Sequence, residues 1–357
     1  MYILLAILLL AILIVVHEWG HFIAARITGI QVNEFSVGMG PRLLGWKSKK
    51  HPETDFSVRA IPLGGFCSFF GEDDTKGIEK LDPRSFSNQS VWKRLFVIVM
   101  GPMMNFVLAF VLATAFFWVS GRTVAVGIDP YIAGVTAAGP AYSAGMMEGD
   151  VVESVNGENV LDGTMETLLK KISDWKEGDD PLSMKVRRGD ETLDLTMRPL
   201  WDETEGRMRI GVVIGGKYRT QTEPVTFLGG FSESWHMCVN AGGTILGALK
   251  DLVTTGKGLD ETSGPVGIVA IVSGEVKEGG LSAFVQLLVL ISINLGLMNL
   301  LPIPGLDGSR LVFGLVEVIR RKPVPPEKEA MVHLAGMVLL FGLMIVITFR
   351  DVLRLFQ

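Results

Sequence analysis

The chain is poor in cysteine, with only Cys67 and Cys238 among its 357 residues. Two cysteines exclude a disulfide framework and a cysteine-rich zinc site, and we expect both to be ordinary buried thiols. The chain also has no excess of basic residues, because 33 Lys and Arg stand against 38 Asp and Glu. The formal net charge of −5 provides no basic surface for nucleic acid, so no nucleic acid partner is predicted.

Long apolar runs, in contrast, are plentiful, and 48% of the residues are hydrophobic. Four runs approach or exceed the roughly 18 to 20 apolar residues that cross a bilayer. They are Tyr2 to Ile27, Leu95 to Val119, Phe284 to Leu301 and Val332 to Phe349. The sequence therefore predicts a polytopic α-helical membrane protein with four transmembrane helices. A cleaved signal peptide is the alternative for the first run, but no Lys or Arg precedes it and it exceeds the usual length of such a segment.

Basic residues predict the orientation of these helices. Lys and Arg are frequent between residues 26 and 94 and again between residues 310 and 328. By the positive-inside rule both segments face the cytoplasm. The N-terminus, the long segment of residues 122–280 and the C-terminus are then expected outside.

The first apolar run contains the polar sequence HEWGH at residues 17–21. His17 and His21 are four residues apart, so both imidazoles project from one helix face and can bind one zinc ion, with Glu18 beside it as general base. The helix rise places His17 roughly 22 Å from Tyr2, inside a hydrocarbon layer of about 30 Å and toward the cytoplasm. A pair of polar residues that only helps helices pack is the alternative, but an ionisable group at that depth is a functional hypothesis by default.

A third zinc ligand is expected from NLLPIPGLDG, residues 299–308, because the first helix offers only two histidines. The third helix runs inward and carries Asp307 to about the depth of His17. Pro302 and Pro304 break the helix, which lipid tolerates only where the backbone is packed in protein or lines a wet cavity. A simple helix-end turn is the alternative for Asp307. Three such ligands leave one zinc position open for water, whose proton Glu18 could accept.

These motifs resemble the site-2 protease family of zinc intramembrane metalloproteases, in its bacterial RseP/RasP-type branch. HEWGH matches the family's HExxH, and NLLPIPGLDG matches NxxPxPxLDG with Asp307 as third ligand. GPMMNF (residues 101–106) and SGPVGI (residues 263–268) match two further family elements. The resemblance implies Zn²⁺ as cofactor and a location in the bacterial inner (plasma) membrane, with the active site toward the cytoplasm. It also implies single-span membrane proteins as substrates, such as anti-sigma factors or remnant signal peptides, after an upstream site-1 type protease has trimmed their outer domain.

The resemblance further assigns substrate contacts. Asn299, with Pro302 and Pro304 of the same motif, is expected near bound substrate. The sequence FSVGMGP, with Gly38 and Gly40, resembles a membrane-associated GxG loop of the family. Alternating apolar residues from Phe56 to Phe69, across a turn at Gly64-Gly65, predict a cytoplasmic-side hairpin or small sheet whose edge, including Phe66, could add the substrate as a strand. A hairpin that merely packs on the membrane is the alternative.

Four domains are predicted. Residues 1–121 hold the first two membrane helices with the small β-sheet, and residues 281–357 hold the last two with the LDG motif. Residues 122–217 resemble a single inserted extracytoplasmic PDZ domain, through AYSAGMMEGDVVESVNGENV and a hairpin turn at Asn156-Gly157. The family suggests a size filter for that domain, and a spacer is the alternative. Residues 218–280 form an amphipathic outer gate region.

Two other function classes compete with the protease. A metal-ion transporter would use His17, His21 and Asp307 as a pathway, but a conduit needs weak serial sites rather than one compact site beside a glutamate. A PDZ-bearing membrane scaffold would have no use for HEWGH. Iron or cobalt could occupy two imidazoles and a carboxylate as well as zinc.

Overall fold

The computed structural model describes residues 2–72, 82–161, 165–203, 205–258 and 263–354. The chain divides into two compact units, residues 1–119 with 225–357 and residues 120–224. In chain order the helices are α1 Tyr2–Thr28, α2 Val91–Ser120, α3 Pro140–Ser143, α4 Met165–Ser173, α5 Phe227–Thr255, α6 Pro265–Leu300, α7 Asp307–Arg320 and α8 Pro326–Arg354. The strands are β1 Val32–Ser48, β2 His51–Phe69, β3 Arg122–Val135, β4 Val151–Val155, β5 Glu158–Asn159, β6 Leu182–Arg188, β7 Glu191–Met197, β8 Leu200–Asp202, β9 Arg207–Arg209 and β10 Val212–Glu223.

Within the described residues, four helices of the first unit are long and apolar enough to cross a membrane, namely α1, α2, α6 and α8. This confirms the predicted polytopic helical membrane protein. In α8 most side chains are exposed, as lipid-facing residues are. The N-terminal half of α1 packs Leu9 and Leu13 against Val272, Val276 and Leu288 of α6.

The third membrane helix differs from its prediction. Helix α6 begins at Pro265, whereas the apolar run predicted a start at Phe284. A straight helix of its 36 residues would be about 54 Å long, nearly twice the hydrocarbon thickness. Gly280 interrupts it with a backbone φ of 61° and ψ of −143°, which divides α6 into two segments. The first segment contains the charged residues Lys277 and Glu278, so the sequence shows no continuous apolar run there.

Strands β1 and β2 form a small sheet with an unusual pairing. Residues 34–37 of β1 pair on one side with residues 65–68 of β2, with the antiparallel sense that the hairpin gives. On their other side the same residues pair with residues 55–58, and these two segments run in the same direction. Residues 42–48 pair with residues 51–59. Two long strands thus form four neighbouring segments joined by three pairings, with residues 65–68 along one edge.

Glycines allow these strands to bend. Gly38 has a φ of +87°, and a Cβ there would lie 2.7 Å from the carbonyl oxygen of Ile61. Gly40 and Gly64 also have positive φ, both +81°. The predicted loop at Phe35–Pro41 and turn at Gly64-Gly65 are therefore wrong. Both segments lie within strands, because glycine supplies the bend without ending the strand.

The second unit is a sheet with short helices. Its strands lie in the order β10-β3-β4-β6-β7, with β5 beside β4, and β8 pairs with β9 apart from them. Alternate residues of β6, including Met184 and Val186, are buried in its core. The predicted turn at Asn156-Gly157 is confirmed, because both residues have positive φ between the paired β4 and β5.

A buried carboxylate connects two parts of this unit. Asp150 is fully buried and accepts hydrogen bonds from Nε and Nη2 of Arg188, at 2.7 and 2.8 Å, and from the backbone N–H of Met147 at 2.9 Å. Burial by itself would raise the pKa of Asp150, but these hydrogen bonds and the charge of Arg188 outweigh it and lower that pKa below its usual value.

Asp150→Asn should therefore destabilise the second unit at pH 7 by about 1 to 3 kcal/mol, the range for hydrogen bonds to a charged group. A carboxylate with a lowered folded pKa contributes stability above its unfolded pKa of about 3.9, and the contribution is lost as pH falls through the folded pKa. The difference in the free energy of unfolding between wild type and variant should thus become smaller below about pH 4. Urea unfolding of the full-length protein measures it, with the fluorescence of the buried Trp175 isolated by replacing the other six tryptophans with phenylalanine in both proteins. Asp190→Asn, at an exposed turn, is the control. Equal stability of wild type and Asp150→Asn at pH 7 would refute the assignment.

Candidate metal centre

Three polar side chains from distant parts of the chain meet inside the first unit. Nε2 of His17 lies 3.1 Å from Oδ2 of Asp307, Nε2 of His21 lies 3.3 Å from the same oxygen, and the two Nε2 atoms are 3.3 Å apart. Both histidines are less than a tenth exposed. The three atoms therefore form a nearly regular triangle of potential ligand atoms.

This triangle has the size that a tetrahedral zinc ion requires. Ligand atoms about 2.0 to 2.2 Å from zinc at tetrahedral angles are about 3.3 to 3.6 Å apart. Oδ2 of Asp307 is buried and has no hydrogen-bond partner among the described residues. Burying a carboxylate oxygen without a hydrogen-bond partner costs free energy unless a cation or a proton binds it. Two imidazoles and one carboxylate, with a fourth position free, are the donor set of a catalytic zinc site.

Helix α2 orients both imidazoles. Nδ1 of His21 donates to the carbonyl oxygen of Val97 at 2.9 Å, which leaves the lone pair of Nε2 for a metal. The side-chain amide of Asn105 lies 3.3 Å from Nδ1 of His17. If His17 binds a metal through Nε2, its ring proton is on Nδ1. The side-chain oxygen of Asn105 must then face the ring to accept that hydrogen bond. That oxygen is the buried amide atom that lacks a partner in the present orientation.

Glycines let α1 and α2 approach closely enough for these contacts. A Cβ at Gly20 would lie 2.2 Å from the carbonyl oxygen of Met100, and one at Gly101 would lie 2.2 Å from Nε2 of His21. Real Cβ atoms do not tolerate such distances. The small residues within HEWGH and GPMMNF are thus required by packing at the metal centre itself.

A loop between α6 and α7 carries Asp307 to the histidines. Helix α6 ends at Leu300, just before Pro302, which has no N–H to continue it. The backbone then turns through Gly305, with a φ of +98°, and α7 begins at Asp307. Gly308 is needed next, because a Cβ there would lie 2.1 Å from the carbonyl oxygen of Leu301.

Glu18 projects beside the triangle and contacts the small sheet. The backbone N–H of Cys67 lies near its carboxylate. A Cβ at Gly65 would lie 3.2 Å from Cγ of Glu18 and 2.8 Å from the carbonyl oxygen of Ser36. The edge segment of the sheet, residues 65–68, therefore lies directly against the candidate general base.

A cavity of about 810 Å³ surrounds these groups. Of the residues singled out from the sequence, it is lined by His17, Glu18, His21, Gly64, Gly65, Phe66, Asn299 and Asp307. The remaining four, Gly38, Gly40, Pro302 and Pro304, shape the backbone around it without lining it. Met39, between Gly38 and Gly40, does line the cavity.

Several residues near the centre carry no signal in motif spacing. Glu72 and Arg310 form an ion pair between the end of the small sheet and α7. They and His333 of α8 line both the main cavity and an adjoining one of about 470 Å³. Val97 acts through its carbonyl group, which no side-chain pattern reveals. Asn105 lies within GPMMNF, but that motif by itself assigns no role to the side-chain amide.

Comparison with known proteins agrees with this geometry. The family model described as Peptidase family M50 matches residues 5–343. Regulator of sigma-W protease RasP of Bacillus subtilis is 30% identical, across 98% of this chain and 98% of that protein. Proteins with zinc metalloprotease names from Agrobacterium fabrum and Clostridium acetobutylicum are 32% and 33% identical, across 97% and 98% of this chain and 94% and 97% of theirs.

Gly101→Ala should weaken zinc binding at least about ten-fold, because the new methyl group would occupy space next to Nε2 of His21. Zinc retained by the purified protein during titration with a chelator measures this. Gly247→Ala on α5, where a Cβ meets nothing within 4 Å, is the matched control and should bind zinc like the wild type. Wild-type affinity in Gly101→Ala would contradict the close approach of α2 to His21.

Proposed function

Because the chain belongs to peptidase family M50 and is a zinc metalloendopeptidase of the site-2 protease type, we propose that it cleaves the membrane-spanning segments of single-span proteins. The observation that carries the proposal is the juxtaposition of His17, His21 and Asp307 with Glu18 inside a unit of four potential membrane helices. Metal transport is disfavoured, because the ligand atoms form one compact triangle rather than a series of weak sites.

Each residue of the centre has a role in peptide hydrolysis. His17, His21 and Asp307 would hold Zn²⁺, which when bound acidifies water and polarises the scissile carbonyl. Glu18 takes a proton from the attacking water and delivers it to the leaving amine. The adjoining sheet edge at Gly65 limits the positions that the carboxylate of Glu18 can take during both transfers. Asn299, on the cavity wall, is placed to hydrogen-bond the substrate backbone.

The edge of the small sheet supports a mode of substrate binding. Residues 65–68 pair with residues 34–37 on one side, and no described strand pairs with their other side. A peptide must be extended for attack on its carbonyl, since a helix engages its carbonyls in its own hydrogen bonds. We infer that the unwound substrate adds to this edge as a strand, with Gly64, Gly65 and Phe66 along it.

We propose anti-sigma factors and remnant signal peptides as substrates, since both have the single-span form. The name of one relative, regulator of sigma-W protease, supports a link to sigma-factor regulation. We propose that an upstream site-1 type protease first removes the outer domain of the substrate. The second unit, proposed to be a PDZ domain, then acts as a size filter.

Charge distribution supports an orientation in the bacterial inner membrane. Basic residues are frequent in the segment between α1 and α2 and between α7 and α8. The proposed topology places these segments in the cytoplasm and the termini and second unit outside, with the metal centre toward the cytoplasmic side.

Glu18→Gln should keep zinc, because Glu18 is not among the three ligands, and should lower the cleavage rate by about 10² to 10⁴-fold through loss of the general base. Asp307→Asn should lose both zinc and cleavage. The assay uses detergent-purified protein, a model single-span substrate with its outer domain present or removed, and metal quantified in parallel. Only the trimmed substrate should be cut by the wild type. Full activity in Glu18→Gln would eliminate the mechanism.

The orientation has its own test in membrane vesicles of known sidedness. In a Cys67→Ser, Cys238→Ser background, Glu177→Cys in the second unit should react with an impermeant maleimide from the outer face. Lys49→Cys, in the exposed connection of the small sheet, should react only after permeabilisation. Reversed labelling would overturn the proposed topology.

A further inference from the structure

Helix α8 touches the loop that carries Asp307. A Cβ at Gly336 would lie 2.2 Å from the carbonyl oxygen of Pro304, so only glycine allows this approach. One turn earlier, Nδ1 of His333 accepts a hydrogen bond from the backbone N–H of Gly305 at 3.4 Å. Oγ of Ser309 lies 3.5 Å from the same nitrogen. The imidazole thus meets the backbone two residues before Asp307 and the side chain two residues after it.

The ring of His333 is held in one orientation. Its side chain is 14% exposed, and its centroid lies 5.9 Å from that of Phe313 on α7. Nε2 points to the other side, 3.7 Å from Oε1 of Glu329, and has no hydrogen-bond partner among the described residues. The contacts of His333 with the loop therefore depend on Nδ1 as an acceptor.

The loop needs an external support of this kind. Gly305 has a φ of +98°, a conformation with little intrinsic preference, and it precedes a carboxylate that must stay within about 3 Å of two imidazoles. Groups that hold metal ligands in place commonly change metal affinity or activity about 10 to 100-fold when removed. Along α8, Met337 and Leu340 line the main cavity, so one helix contributes both to the cavity wall and to the support of Asp307.

We propose that His333 is a positioning residue, which through Nδ1 holds the Pro304–Asp307 loop and so sets the placement of Asp307 at the metal centre. The effect on peptide cleavage rests on the proposed function. The effect on metal binding does not, because it concerns only the placement of a ligand.

Isosteric substitutions test the assignment to Nδ1. Oδ1 of an asparagine occupies about the position of a histidine Nδ1, whereas Oε1 of a glutamine reaches about that of Nε2. His333→Leu should bind zinc about ten-fold more weakly and lower kcat about ten-fold, with KM changed less than about two-fold. His333→Gln should resemble His333→Leu. His333→Asn should stay within about three-fold of the wild type in both measurements.

Two readouts separate this proposal from the proposed function. Zinc affinity, from chelator competition, and the absorption spectrum of the Co²⁺-substituted protein report on ligand placement without any substrate. If the wild type binds zinc but cuts no single-span substrate, the proposed function fails. Zinc affinity and the cobalt spectrum still test whether His333 positions Asp307. Far-UV circular dichroism confirms that each variant is folded, and His236→Asn, at an exposed position on α5, is the control.

Three outcomes would overturn the proposal. Wild-type zinc affinity, cobalt spectrum and kcat in His333→Leu would show that the loop needs no support from α8. A folded His333→Asn as impaired as His333→Leu would exclude the acceptor at Nδ1. Rescue by His333→Gln equal to that by His333→Asn would assign the contact to the wrong nitrogen.

Discussion

The structure depends on one electrostatic constraint, which is the burial of one carboxylate oxygen, Oδ2 of Asp307, against two imidazoles in an apolar helical unit. Oδ2 of Asp307 has no hydrogen-bond partner in the part of the chain that the structure describes, and each of the three ligand atoms lies within 3.3 Å of the other two. An apolar surrounding makes such a cluster expensive unless a cation occupies its centre. Metal binding and the folded arrangement of α1, α2 and the α6–α7 loop are therefore coupled.

Backbone geometry around the centre follows from that constraint. Gly20 and Gly101 bring α1 and α2 close enough for Val97 and Asn105 to orient the imidazoles. Pro302 and Gly305 end one helix and turn the chain, so that the next helix begins with the third ligand. The small sheet then presents its edge next to Glu18, so the proposed strand addition would bring the substrate beside the proposed general base.

Much of this could be predicted from local patterns. The spacing of His17 and His21 in a helix determines a shared face, and the apolar runs determine four membrane helices. Asp307 could be selected because its motif reaches the same depth from a distant helix. Family membership and the zinc dependence of the enzyme agree with these inferences.

Other features depend on tertiary contacts that no local pattern encodes. The roles of Asn105 and His333 depend on which helices pack together, and that of Val97 on a backbone carbonyl. The segment of α6 before Gly280 is too polar to stand out as an apolar run. In the sheet, β1 uses both of its edges, and alternation within one strand cannot reveal a second partner for the same residues.

The coordination of the metal is the central claim, and X-ray absorption at the zinc edge of the purified protein tests it most directly. We expect only nitrogen and oxygen ligands at about 2.0 to 2.2 Å, with multiple scattering from two imidazoles. A sulfur ligand at about 2.3 Å would place Cys67, which lines the same cavity, in the coordination shell. That result, or scattering from fewer than two imidazoles, would contradict the assignment of His17, His21 and Asp307.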